Sequence, residues 1–159
     1  MYRYVMLILP LILIGCASSP STFNRPADLH NPNPGEFPSH YDALSADLFW
    51  RCKTPDVGGR SVEGYAVAST RENRPIRNFA VTLFARDDKG STVTRRWTWG
   101  DRLSPSQFQP VPFTISVPAA EGVARYDLFY SFYVLDGRDR VSRIGTVEDA
   151  CGERWRRKT

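Results

Sequence analysis

The stretch RRWTWGDR, residues 95–102, holds the side chains best suited to recognising a ligand. Trp97 and Trp99 alternate, so on a strand they project from one face about 7 Å apart, given roughly 3.3 Å of rise per residue. Flat aromatic faces at that spacing can stack on sugar rings, with Arg96 and Arg102 supplying polar contacts beside them. The other face of the same strand carries Thr92, Thr94, Arg96 and Thr98 and reads as the solvent side. That assignment turns both indoles into the protein, where each N–H needs a partner. Core burial is therefore the expectation, and a ligand site formed by Arg96, Trp97, Trp99 and Arg102 is the alternative.

Catalytic groups are harder to find. The two histidines, His30 and His40, sit in or beside a proline-rich stretch, which does not hold a general base or metal ligand rigidly. The chain has no HExxH, CxxC, Gly-x-Ser-x-Gly or phosphate-cradling glycine loop. Asp87, Asp88 and Asp101 fall in turns or loops, and DDKG at 87–90 lacks the ligand spacing of a calcium loop. Neither a metal nor a cofactor is expected.

The elements that position these residues begin with an address. After Arg3, the only early charge, an apolar run extends from Val5 to Ile14. It is too short to cross a bilayer, which takes about 20 apolar residues, but it fits the roughly 7–15-residue apolar segment of a secretory signal. The run closes with Leu13-Ile14-Gly15-Cys16, which resembles the lipobox of bacterial lipoproteins. The resemblance implies cleavage before Cys16, lipidation of its thiol and acylation of the new amino group. Each buried CH₂ of such chains adds about 0.8 kcal/mol of membrane affinity, so several chains together anchor durably. Ala17 in place of aspartate implies export to the outer membrane, facing the periplasm.

Three regions follow: a signal peptide over 1–15, lipidated Cys16 with a disordered tether over 16–40, and a globular domain over 41–159. Pro20, Pro26, Pro32, Pro34 and Pro38 stiffen the tether toward extended, solvated conformations. The alternative is an ordered arm docked through Phe23 and Phe37. With Cys16 lipidated, Cys52 and Cys151 remain as an even pair in a compartment that permits disulfides. A bond between them would tie the first strand to the segment after the last. The net charge is +4, with basic residues scattered among acids except in the tail ERWRRKT. That tail reads as a solvated end, with contact to anionic lipid headgroups or cell-wall polymer as the alternative; an exported protein has little access to nucleic acid, and no nucleic-acid partner is expected.

The domain reads as strands. Residues 61–69 alternate with Val62, Gly64, Ala66 and Ala68 on one side, and IRNFAVTLFARD places Phe79, Val81, Leu83 and Ala85 on one face. DDKG at 87–90 and DGRD at 136–139 are hairpin turns. FTISV aligns Phe113, Ile115 and Val117, and DLFWRCKT forms an opening strand. RYDLFYSFYVL is apolar or aromatic on both faces and is expected to lie centrally, covered on both sides. One short helical turn is possible in HYDALSADLF. About seven short strands with turns between them predict an all-β, antiparallel immunoglobulin-like sandwich, with a small barrel as the main alternative.

The segments VEG at 62–64, IRNFAVTLFARDDKG at 76–90 and FTISV resemble the FxLYD-type immunoglobulin-like domains of exported bacterial proteins. That likeness supports the fold and brings no catalytic residue with it. The functional expectation is a lipid-anchored, non-catalytic binding or accessory module, with an envelope protein or peptidoglycan as its partner. The competing expectation is a small envelope hydrolase whose carboxylates converge only in three dimensions.

Overall fold

A computed structural model describes residues 24–56, 58–71, 74–100 and 109–157. Cys16, the apolar run, Phe23 and Arg102 lie outside them. Among the described residues are eight strands: β1 (Ser39–Asp42), β2 (Ala46–Lys53), β3 (Arg60–Ala68), β4 (Ile76–Arg86), β5 (Thr92–Trp99), β6 (Val111–Val117), β7 (Arg125–Asp136) and β8 (Asp139–Val147). They form two antiparallel four-stranded sheets, ordered β1-β2-β3-β6 and β5-β4-β7-β8. With β1 set aside, β2 to β8 take the places of strands A, B, C, C′, E, F and G, an immunoglobulin-like order.

Alternation explains which faces meet. Val62 and Ala66 of β3, Val81, Leu83 and Ala85 of β4, Phe113 and Ile115 of β6, and Leu128, Phe132 and Val134 of β7 fill the space between the sheets. The turns use the residues expected of them. Asp87 accepts from the amides of Lys89 and Ser91 through its side chain, and Gly90 takes φ 82°. Gly137 turns the next hairpin at φ 62°.

Cys52 and Cys151 are joined by a disulfide, their Cα atoms 5.7 Å apart. It fastens the end of β2 to the segment after β8. Beside it, the buried Trp50 indole N–H donates to the carbonyl of Ala150 at 2.7 Å.

Several expectations are corrected. HYDALSADLF holds no helical turn, because Ser39–Asp42 pairs with Asp47–Trp50 as a hairpin. The described part of the tether is docked: Phe37 is only 4% exposed and packs with Leu29, Phe49, Tyr65 and Val67 in a second apolar cluster. The Tyr65 hydroxyl donates to the carbonyl of Leu29 at 2.8 Å, and burial pushes its pKa up. Prolines allow this docking because they hold the arm extended at low entropic cost, while its few apolar side chains find an open sheet face.

The histidines are placed too. His40 stacks on Phe49 with ring centroids 4.4 Å apart, and both His30 and His40 approach the Asp47 carboxylate, at 3.4 and 3.3 Å. Nor is the basic tail a solvated end as far as Arg157. Residues Glu153–Trp155 form a 3₁₀ turn, the Arg157 amide donates to the Pro38 carbonyl at 2.7 Å, and its guanidinium donates to Pro32 and Asn31. No helix among the described residues is long and apolar enough to cross a membrane.

Candidate functional site

β5 is the edge of its sheet, and its register decides where the tryptophans go. Trp97 pairs with Thr82 and Trp99 with Ala80, whereas Leu83 and Val81, the core residues of β4, pair with Arg96 and Thr98. Directly paired residues share a face. Both tryptophans therefore stand on the outside of the sheet, 64% and 42% exposed, which corrects the expectation of core burial. Threonine alternation misled because Thr94 and Thr98 face inward at the rim of an edge strand, where hydroxyls still reach solvent. The indoles are perpendicular, at 88° with centroids 5.7 Å apart, so they do not make one flat platform. Arg96 is exposed on the inward-facing side of β5 and does not share their face.

The tryptophans open onto a wider surface. One row across the sheet reads Trp99, Ala80, Ser131, Ile144 and the next reads Trp97, Thr82, Phe129, Thr146, with no charge in either. Ile144 is 69% exposed, and Tyr133 and Leu135 of β7 are exposed as well. β7 does lie centrally, as its sequence indicates, but its outer face is not covered. The coverage expected there lies on β3 instead, where the docked arm buries Tyr65 and Val67.

At one end of this face β4 carries a bulge between Arg77 and Ala80, with Asn78 at φ 50°. Bulges re-aim side chains at the sites where they occur. Here the bulge borders a hollow of about 180 Å³ lined by Arg77, Asn78, Tyr133, Leu135 and Arg140. Arg95 and Arg140, exposed on this face at its two opposite edge strands, make no ion pair among the described residues.

A second concavity of about 860 Å³ lies on the outside of the other sheet. Its floor is a row of paired residues, Arg51, Glu63 and Thr114, from β2, β3 and β6. Phe37 of the arm forms one wall, and Thr98 and Trp99 at the end of β5 form the other. Arg51 and Lys53 both bind the Glu63 carboxylate, Lys53 at 2.6 Å. The Arg51 guanidinium also sits 5.8 Å from the centre of the Phe37 ring. Burial alone would raise the Glu63 pKa, but hydrogen bonds from Lys53 and Arg51 outweigh it and hold the carboxyl below its ordinary value of 4.5. A depressed carboxylate pKa contributes stability that is present above the unfolded value and is lost as pH falls through the folded one. Thermal unfolding between pH 6 and 2 is expected to show that acid-side loss, and Glu63→Gln to remove its part of it.

A more deeply enclosed carboxylate, Asp127, is held by Arg86 at 3.3 Å and Arg125 at 3.2 Å and accepts from the Asp149 amide. Among the described residues no group of three or more His, Cys, Asp or Glu is placed to hold a metal ion. No protein-family model, curated protein or solved structure matches this chain.

Proposed function

We propose that this chain is a lipid-anchored module of the bacterial cell envelope that binds an envelope protein through the open face of the β5-β4-β7-β8 sheet. The observation that carries the reading is a band of two uncharged rows across all four strands with Trp97, Trp99 and Ile144 exposed on it and Tyr133 exposed beside it. Tryptophan, tyrosine and arginine dominate the energetics of protein interfaces, and charge is depleted at interface centres. Arginines without ion pairs at both edge strands define the partner's chemistry as an apolar patch flanked by carboxylates. The hollow at the Asn78 bulge, lined by Arg77 and Arg140, suits one acidic side chain of that partner.

The anchor rests on Leu13-Ile14-Gly15-Cys16 and the outer-membrane address on Ala17. The Cys52–Cys151 bond supports an oxidising compartment. Glu63 and Asp127 are each bound by two cationic side chains, which supports binding rather than acid–base chemistry at those two carboxylates.

Crosslinking in intact cells, followed by pull-down from membranes, tests the reading. Trp97→Ala is expected to weaken the complex by about 2 kcal/mol or more, some thirtyfold in Kd. Its stability should change by no more than about 0.5 kcal/mol, as for exposed positions generally. Ile144→Arg should also abolish the adduct. Adducts that survive both changes overturn the proposed face. Cys16→Ser is expected to leave the protein unlipidated and move it out of the membrane fraction, or leave it uncleaved. A variant that still fractionates with lipid at the mature mass overturns the anchor.

A further inference from the structure

The concavity over Arg51, Glu63 and Thr114 is separate from the open sheet face, touching it only at Trp99, and its chemistry differs. We infer that it is a binding site for a neutral oligosaccharide, with pyranose rings lying along the Arg51–Glu63–Thr114 row against the indole of Trp99.

Four observations support this. Its volume, about 860 Å³, falls within the roughly 300–1,000 Å³ of small-molecule sites. Its charges balance, Arg51 and Lys53 against Glu36 and Glu63, so a phosphate or polyanion gains no net attraction. Its polar groups are fixed before any ligand arrives. Glu63 is shared by Arg51 and Lys53, and Arg51 is further steadied over Phe37. A carboxylate clamped by cations keeps unused acceptor lone pairs, and arginine keeps unused N–H donors, which together suit vicinal hydroxyls. Finally, Trp99 forms part of the wall and Thr98 and Thr114 place hydroxyls beside it. An aromatic wall beside fixed polar groups answers the two faces of a sugar, its apolar C–H face and its hydroxyl rim.

The hydrogen bonds from Lys53 and Arg51 that hold the Glu63 pKa below its ordinary value agree with this arrangement, since they favour the carboxylate form, an acceptor. Trp99 rather than the Trp97–Trp99 pair is the stacking residue, because the perpendicular pair offers no common plane.

The test uses the full chain and two probes, chitotetraose and cellotetraose, followed by calorimetry and by tryptophan fluorescence. Saturable binding of either probe is expected. Preference for chitotetraose identifies N-acetylated amino sugars, and equal binding identifies a general pyranose site. Thr114 is exposed on β6, so Thr114→Trp fills the cleft without touching the core and should abolish binding with the melting temperature unchanged. Glu63→Gln should weaken it about tenfold, the effect of losing one hydrogen bond to a charged group. Ile144→Arg on the open face should leave saccharide binding intact while removing the protein adduct, so the two proposals fail separately. No saturable heat with either probe overturns the inference, as does binding that Thr114→Trp leaves unchanged.

Discussion

Replacing Trp50 by alanine is expected to destabilise the fold by about 3–5 kcal/mol, the usual effect of emptying a buried tryptophan site. Trp50 is fully buried on the inner face of β2 and ranks among the largest enclosed side chains. Its loss also removes the donor to the Ala150 carbonyl, leaving a buried acceptor that costs a further 1–3 kcal/mol or so unless the segment shifts toward water. Trp155 packs beside it, with ring centroids 6.3 Å apart, so the 3₁₀ turn loses its support as well. Trp50→Phe is the control: it keeps most of the volume and should recover most of the stability. Denaturant unfolding of the three proteins checks this. A Trp50→Ala loss under about 1 kcal/mol would contradict the burial described here.

Breaking the Cys52–Cys151 bond is expected to lower stability by about 2–5 kcal/mol. The bond spans a sequence separation of 99, and the chain-entropy model gives a loop of that size up to about 4.7 kcal/mol. Cys52→Ala/Cys151→Ala should unfold at lower denaturant than the parent, and reductant should shift the parent toward the variant. Mass spectrometry of the native protein should find no free thiol at either position. Two free thiols there would end the idea. Trp50 and the disulfide hold the same Ala150–Cys151 segment, so their losses should be less than additive when combined. A distant core change such as Leu83→Ala should add fully.

The strand pattern is legible in the sequence because period-2 alternation follows directly from the pleat. Phe79, Val81, Leu83 and Ala85 face inward as their spacing indicates. The disulfide is legible once Cys16 is set apart from the other two cysteines. The orientation of Trp97 and Trp99 is not, because β5 is an edge strand. At an edge, inward positions such as Thr98 stay partly wet, so polarity no longer marks the outside. The same ambiguity affects β7, where an apolar outer face indicates either a covering layer or a docking surface, and alternation alone does not choose. The cleft floor is the least legible part. Thr114 on β6 lies far along the chain from Arg51 and Glu63 on β2 and β3, and only the sheet register places the three in one row. Leu29 and Phe37 carried a partial signal as apolar residues in a proline-rich arm, yet their site exists only once β2 and β3 are paired.

The docked arm also sets a leash length. On the proposed Cys16 anchor, with the arm docked from Leu29, thirteen residue steps separate anchor from docked arm, a span of at most roughly 43–47 Å. Were the arm free to residue 40, the same anchor would allow roughly 79–86 Å. Phe37 seated between Phe49 and Tyr65 thus works as a reel. Seated, on that anchor, it would confine the domain to a shell near the bilayer, where partners at the membrane surface are within range. Released, it would nearly double the radius the domain can patrol without changing a single residue of its binding face.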